Sequence, residues 1–136
     1  LDDAMPPLVC DRNSLTQVLI NLLTNAADAM PQGGDISIHT RHQPATKHAI
    51  LQISDTGVGI PEATLQKVFD PFYTTKDIGS GTGLGLSIVR GIVEAHDGTI
   101  AAASIPGQGS LFSITLPLAG PAAHPERVDP SNERFA

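Results

Sequence analysis

The sequence contains no tryptophan, one tyrosine, one cysteine and no long apolar run. The single cysteine, Cys10, excludes a disulfide within the chain and a zinc site built from several cysteines. No apolar run approaches the roughly 18 residues of a membrane-spanning helix, and the N-terminus lacks the basic and then apolar pattern of a secretory signal. These absences favour a cytoplasmic domain, or a cytoplasmic part of a longer protein, with no direct membrane contact.

Basic residues are also few, since 8 Lys and Arg stand against 14 Asp and Glu and give a net charge of −6. This balance argues against broad electrostatic binding of nucleic acid or of an anionic membrane. It is compatible with a polyphosphate ligand, because backbone N–H groups and a metal ion can supply the local positive charge. With 136 residues, of which 40% are hydrophobic, the chain is long enough for one domain with a substantial core.

Hydrophobic periodicity predicts the helices and strands. Apolar residues recur on one helical face from Leu15 to Ala29, and Asp11 is a plausible N-cap for this helix. In the first strand, Ile36 and Ile38 are expected to point into the core. The predicted elements are helices over about 12–30, 62–68 and 84–96 and strands over 35–40, 49–54, 99–105 and 110–117. This order predicts an α/β (α+β) two-layer sandwich with the helices on one face of a mostly antiparallel or mixed sheet.

Composition further divides the chain into three parts. Residues 1–10 form an extended lead-in, and residues 11–118 form the domain. Residues 119–136 combine several prolines with small and charged residues, which is typical of a flexible tail or linker.

Glycine, in contrast, is abundant: there are 13, about twice the average frequency. Gly57 and Gly59 follow an apolar strand that ends at Asp55, a position where a carboxylate can accept a hydrogen bond from an exocyclic amine such as that of adenine. Four more glycines open the last helix with a spacing of two: Gly79, Gly81, Gly83 and Gly85. Backbone N–H groups at a helix N-terminus suit phosphate, although neither a Walker loop nor a Rossmann fingerprint is present. The alternatives are an ordinary turn at the first site and a flexible hinge at the second.

The first helix carries polar residues beside its apolar face. Asn21, Asn25 and Asp28 are spaced by four and three residues, so they line one stripe. A neutral Asn oxygen can complete the ligand set of Mg²⁺ when phosphates supply the charge. The alternative is an ordinary solvent-exposed polar face.

Three of the five aromatic residues lie between 69 and 73, before the long glycine-rich loop. The arrangement predicts a lid over 70–83, whose aromatic side chains anchor it to the body while Thr74, Thr75 and Lys76 reach towards phosphates. Lys76 would place its charge on the terminal phosphate. The alternative is a satellite hydrophobic cluster under a loop, with Lys76 solvated.

Four of these segments together resemble the sequence boxes of sensor histidine kinases. In chain order, they resemble the N box (21–29), the G1 box (55–60), the F box (69–72) and the G2 box (81–86). The resemblance covers about residues 8–118 and is strongest to the nitrogen-regulation and oxygen-sensing branch. It implies the Bergerat ATP-binding fold, shared with gyrase, the Hsp90 chaperone and mismatch-repair ATPases, with a sheet covered by helices on one face and an ATP lid.

The resemblance also implies roles for individual residues. Asn25 matches the Mg²⁺ ligand, Asp55 the acceptor of the adenine amine, and Ser110 a position near the adenine. Asn21 stands where gyrase-like ATPases carry a Glu that activates water, and an amide cannot act as that base. The residues expected to be catalytic are Asn21, Asn25 and Lys76. The implied nucleotide site comprises Asn25, Asp28, Asp55, Gly57, Gly59, Ile60, Phe69, Phe72, Thr74, Thr75, Lys76, Gly81, Thr82, Gly83, Leu84, Gly85, Leu86 and Ser110.

None of the five histidines matches a phosphoacceptor. Only His96 is followed by an acid, and it stands at a helix C-terminus, where His is favoured. We therefore expect the catalytic domain of a longer cytoplasmic kinase, in which residues 1–10 leave an upstream dimerisation hairpin carrying the phosphoacceptor. The expected partners are that hairpin and a response regulator receiver domain, and the expected ligands are ATP and Mg²⁺. The isolated domain would be a monomer and the full-length protein a homodimer. The alternatives are an ATP-hydrolysing switch and a nucleotide-binding interaction module.

Overall fold

Four antiparallel strands and three helices make up the computed structural model of the chain, which describes residues 1–73 and 84–120. The elements are α1 (Arg12–Asp28), β1 (Ile36–Gln43), β2 (His48–Asp55), α2 (Glu62–Leu65), α3 (Gly85–Ala95), β3 (Thr99–Ile105) and β4 (Gly109–Pro117). The strand order is β1-β2-β4-β3. The predicted two-layer sandwich is confirmed. Of the two alternatives for the sheet, the described strands show the antiparallel one throughout.

The core lies between one face of the sheet and the helices α1 and α3. Period-two alternation places every second residue of β4, from Ser110 to Leu116, on the buried face. The buried side chains that form the main cluster are Val18, Leu22, Ile53, Val89, Val93, Phe112, Ile114 and Leu116. None of the helices in the described ranges is long and apolar enough to cross a membrane.

The expectation that Ile36 and Ile38 are core residues is wrong. Ile38 pairs with Ile53 in the register, so both side chains point to the same face of the sheet. β1 is nevertheless an edge strand with a neighbour on one side only, and Ile36 and Ile38 remain 38% and 37% exposed. The alternation of apolar residues in β1 therefore predicted which face of the sheet these side chains lie on, but not how exposed they are.

Residues 1–10 form no helix or strand, but they are held against the domain at two points. The Asp2 carboxylate accepts the backbone N–H groups of His42 in β1 and of Ala4, and these hydrogen bonds hold the pKa of Asp2 below its usual value. The backbone N–H of Val9 donates to the carbonyl of Leu118, just after β4, at 3.1 Å. The role of residues 1–10 as the exit of a hairpin stays a prediction.

Helix α1 begins at the predicted cap. The Asp11 carboxylate accepts the backbone N–H of Ser14 at 2.9 Å and also the Ser14 hydroxyl. The Asp11 backbone N–H donates in turn to Nε2 of His96 at 3.2 Å. Since a backbone N–H can only donate, Nε2 carries no proton, and Nδ1 is the atom that donates to the Ile92 carbonyl at 2.8 Å. The His96 ring thus joins the end of α3 to the start of α1.

Helix α3 ends in a Schellman motif. The N–H groups of Asp97 and Gly98 donate to the carbonyls of Glu94 and Val93 at 3.0 and 2.9 Å, and Asp97 adopts the left-handed φ of 57°. A Cβ on Gly98 would lie 2.5 Å from the Thr115 carbonyl oxygen. The predicted end of this helix at about residue 96 is confirmed, and glycine is needed at position 98 because the chain touches β4.

We expect Gly98→Ala to destabilise the domain by about 1–3 kcal/mol, because the added methyl must displace strand backbone. Gly91→Ala is the matched control, since Gly91 lies in the exposed part of α3 with nothing within 4 Å of an added Cβ. This control should stabilise the domain by about 0.5–1 kcal/mol through helix propensity. Urea unfolding followed by circular dichroism measures both, and equal effects of the two substitutions would contradict the close packing.

The cap at Asp11 should make stability depend on acid. Hydrogen bonds from the Ser14 hydroxyl and backbone N–H hold the pKa of Asp11 below its usual value of 3.8. The ionised cap therefore stabilises the fold at pH above the unfolded-state pKa, and this contribution is lost as the pH falls through the lowered folded-state pKa. Asp11→Asn keeps a capping oxygen but does not titrate. The wild type should lose stability more steeply than this variant below about pH 4. Parallel curves of unfolding free energy against pH would disprove the assignment.

Candidate functional site

Two buried polar side chains stand at the same end of the sheet. Asp55 and Ser110 are 9% and 7% exposed, and among the described residues no other polar or charged side chain is this buried. They are direct partners in the register of β2 and β4, where they continue the inward faces of both strands beyond the hydrophobic residues Ile53 and Phe112. Burying a carboxylate is costly unless it has hydrogen-bond partners, so this pair is the candidate for a ligand site.

The turn after β2 exposes one side of the Asp55 carboxylate. Its Oδ1 accepts the backbone N–H of Gly57 at 2.9 Å, and within the described residues Oδ2 has no hydrogen-bond partner. The turn rests on the end of α1, where Val58 N–H donates to the Ala29 carbonyl at 3.1 Å. A Cβ on Gly57 would lie 2.5 Å from that carbonyl oxygen. Gly57 thus allows the turn to approach the helix, while its N–H holds Oδ1 of Asp55.

Gly59 and Ile60 complete this turn against β3. Gly59 has a φ of +73°, and a Cβ there would lie 2.5 Å from the Ile105 carbonyl oxygen. The Ile60 side chain packs against the core, and its N–H donates to the Ser104 hydroxyl at 2.7 Å.

Sequence reasoning missed Ser104. Its hydroxyl donates to the Gly109 carbonyl at 2.8 Å and lies 3.0 Å from the Ser110 hydroxyl. A signal was present, because alternation from Ile100 through Ala102 puts Ser104 on the inward face of β3. Its neighbours in a strand of small residues gave no reason to single it out.

The polar stripe of α1 flanks the core as predicted. Asn21 is half-buried, and its amide donates to the Gly85 carbonyl at 3.1 Å while its Oδ1 accepts from the Gln17 amide at 2.8 Å. Asn21 therefore connects α1 to the first residue of α3, and Gln17 is a second residue that sequence reasoning missed. Asn25 is half-buried, and its side chain makes no hydrogen bond to the parts of the chain that the structure describes. Asp28, at the end of the helix, is exposed.

Of the three aromatic residues of this segment, Phe69 is anchored in the core, Tyr73 is half-buried and Phe72 is exposed. Phe69 packs edge to face against Phe112, with ring centroids 6.3 Å apart and planes at 86°. Phe72 is 75% exposed and has a φ of +64°, so the expectation that it anchors the segment is wrong. The core position beside Phe112 is already filled by Phe69. A contact of Phe72 with nucleotide stays a prediction.

The start of α3 is described only from Leu84 onward. Leu86 packs against the core, and an added Cβ on Gly85 would meet nothing within 4 Å. The predicted lid over 70–83 falls largely outside the described residues. So do the predicted ligand contacts of Thr74, Thr75, Lys76, Gly81, Thr82 and Gly83.

The described part of the chain contains no group of three or more His, Cys, Asp or Glu that could hold a metal ion by itself. The amide oxygen of Asn25, which has no hydrogen bond to the described residues, is compatible with a divalent cation held by a polyphosphate, because Mg²⁺ binds neutral oxygens together with phosphate oxygens.

Comparison with known proteins agrees with this geometry. The profile of the family described as "Histidine kinase-, DNA gyrase B-, and HSP90-like ATPase" matches residues 10–120. The chain is 44% identical over 124 residues to the sensor kinase CckA of Brucella abortus, covering 82% of this chain and 13% of CckA. It is 45% identical over 118 residues to the histidine-protein kinase AtoS of Escherichia coli, covering 87% of this chain and 19% of AtoS. The chain thus spans less than a fifth of either relative.

Solved structures show the same fold. The catalytic domain of the histidine kinase ThkA superposes with a TM-score of 0.71 at 38% identity, covering 82% of this chain and 70% of that one. Full-length ShkA in complex with AMPPNP superposes with a TM-score of 0.75 at 28% identity, covering 90% of this chain and 25% of ShkA.

The family profile accounts for most of the chain, the relatives share more than 40% of the aligned residues, and the fold is that of histidine kinase catalytic domains. The chain therefore belongs to the family of histidine kinase-, DNA gyrase B- and HSP90-like ATPases and is an ATP-binding domain of the sensor histidine kinase type.

Proposed function

We propose that this domain binds Mg-ATP and donates the γ-phosphate to a histidine on a separate dimerisation domain, for onward transfer to a response regulator. The buried Asp55–Ser110 pair, beside a helix flank that presents Asn25, is the observation that supports this function most directly. The sensor kinase names of the relatives support the choice of a histidine as acceptor.

The Asp55 carboxylate forms the end of the proposed site that binds the adenine base. With Oδ1 held by Gly57, Oδ2 accepts a hydrogen bond from the exocyclic amine of adenine. A charge-assisted hydrogen bond in a buried position is stronger than one in water. Asp55 is therefore the main determinant of adenine binding.

The phosphate end lies along α1 and the start of α3. Asn25 supplies a neutral oxygen to Mg²⁺, which neutralises charge on the phosphates. Phosphoryl transfer depends mainly on positioning and on charge stabilisation, so the domain needs no nucleophile of its own. Lys76 adds a positive charge at the terminal phosphate in this proposal, and the glycines of 79–85 add backbone N–H groups.

Asn21 favours a kinase over an ATP-hydrolysing switch. Its Oδ1 accepts from Gln17 and its Nδ2 donates to Gly85, and an amide has no basic lone pair with which to deprotonate water. Asn21 thus stabilises the contact between α1 and α3 without activating water. ATP is preserved for the acceptor histidine.

The whole protein is proposed to be a homodimer through an upstream hairpin, in the cytoplasm, with this domain monomeric by itself. We propose no role for nucleic acid, in agreement with the net charge of −6.

The adenine role predicts a selective defect. Asp55→Asn should weaken ATP binding by about 10- to 100-fold, because a hydrogen bond to a buried charged group is lost, and should leave the affinity for inorganic triphosphate within about twofold. Isothermal titration calorimetry at millimolar Mg²⁺ measures both ligands. Asp35→Asn, which changes an exposed carboxylate outside the proposed site, should change neither. Equal losses for ATP and triphosphate would refute the assignment of Asp55 to adenine.

The acceptor of the γ-phosphate distinguishes a histidine kinase from an ATP-hydrolysing switch. With ATP labelled on the γ-phosphate, the domain alone should show no single-turnover hydrolysis that depends on Asn21. Label should appear on histidine when the separate dimerisation hairpin of a relative such as AtoS is added. Hydrolysis by the domain alone that Asn21→Ala abolishes would favour the ATPase switch. An absence of binding heat for ATP and for an ADP analogue would instead favour a pure interaction module that binds neither nucleotide.

A further inference from the structure

We propose that Ser104 is a positioning residue that turns the Ser110 hydroxyl into an obligatory hydrogen-bond acceptor, so that the site selects a purine with an amine at C6 over one with a carbonyl. The inference rests on the proposed function, because it requires the base to lie against the Asp55–Ser110 pair.

The Ser104 hydroxyl oxygen has three polar neighbours. The Ile60 nitrogen lies at 2.7 Å, the Gly109 carbonyl oxygen at 2.8 Å and the Ser110 hydroxyl oxygen at 3.0 Å. A backbone N–H can only donate and a carbonyl can only accept, whereas a hydroxyl has one proton and two lone pairs. The Ser104 proton therefore goes to Gly109, and one of its lone pairs accepts from Ile60.

The contact between the two serines then has only one possible direction. Ser104 has no second proton, so Ser110 donates its proton to the remaining lone pair of Ser104. Among the described residues Ser110 has no other side-chain hydrogen bond, and in particular it makes none to the neighbouring Asp55 carboxylate. The Ser110 hydroxyl can therefore only accept a further hydrogen bond, through its lone pairs.

Asp55 and Ser110 thus form a pair of acceptors on one face of the sheet. Directly opposed residues of antiparallel strands have Cβ atoms about 4.5–5.5 Å apart, which lets one edge of a planar base reach both side chains. A C6 amine offers two protons to two acceptors. A C6 carbonyl is itself an acceptor and cannot pair with either side chain. The N1–H beside it can donate to only one of the two, so the carbonyl and the other acceptor would be left unpaired in a site that water reaches poorly.

Ser104 also holds the turn through Ile60, so a loss of affinity alone would not distinguish proton direction from turn stability. The ratio of the affinities for ATP and ITP distinguishes the two effects. Both nucleotides need the same turn, and they differ only at C6 and N1 of the base. In Ser104→Ala the Ser110 hydroxyl is free to rotate and donate to the C6 carbonyl. Loss of the turn would weaken both nucleotides equally.

Calorimetry on the 136-residue chain with ATP and ITP provides the test. We expect the wild type to prefer ATP, and Ser104→Ala to reduce that preference by about 3- to 10-fold, the value of one misdirected hydrogen bond. Ser104→Thr retains a hydroxyl and should restore the wild-type ratio. Ser113→Ala is the matched control, since Ser113 lies on β4 but on the opposite face, where its hydroxyl accepts from Gln52 at 3.2 Å. It should leave the ratio unchanged.

A ratio that is unchanged in Ser104→Ala, or losses that are equal for the two nucleotides, would overturn the proposal. If Ser104→Ala does not fold, Ser110→Ala decides the question. If the Ser110 hydroxyl accepts from the base, as proposed, its removal reduces the preference for ATP over ITP. If it donates to the base, its removal would increase that preference and overturn the proposal. A wild type that binds neither nucleotide would refute the proposed function itself, which is a different result from any of these ratios.

Discussion

The pairing of β2 with β4 is the constraint on which both the core and the site depend. The two strands are more than 50 residues apart in the chain, and their register places Ile53 opposite Phe112 and Asp55 opposite Ser110. The same alternation therefore buries the hydrophobic pair and, two residues further, brings the carboxylate beside the hydroxyl. A slip of either strand by one residue would turn that strand's two side chains to the other face and separate both pairs. The core and the candidate site thus share one set of backbone hydrogen bonds.

Helix α1 connects this sheet to the rest of the site. Its buried face packs into the core, its flank carries Asn21 and Asn25, and its C-terminal end receives the turn that contains Gly57. Since Asn21 also holds the start of α3, the helix sets the distance between the two ends of the proposed site. Although the chain has a net charge of −6, the side chains of Asn21 and Asn25 on this flank are neutral amides, which is compatible with the proposed polyphosphate.

Much of this could be predicted from local patterns. Helical periodicity and a capping residue depend on neighbours within one or two turns, which is why α1 and its cap at Asp11 were predicted correctly. The end of α3 near residue 96 also depends on short-range geometry. The site residues Asp55 and Asn25 stand out because a polar residue at the end of an apolar strand, or beside an apolar helical face, is visible in the sequence.

Burial and hydrogen-bond partners were decided by the tertiary structure. The alternation of β1 places Ile36 on the same face as the core residues of β2, yet Ile36 stays exposed because the strand order places β1 at the edge of the sheet. Phe72 is exposed because Phe69 already fills the position beside Phe112. Ser104 gained its role only when β3, β4 and the turn after β2 converged on one hydroxyl. The sequence by itself determined which residues can form helices, strands and a nucleotide site, since these depend on spacing along the chain. Only the tertiary structure decided which hydroxyl donates and which accepts, since that depends on groups brought together from distant segments.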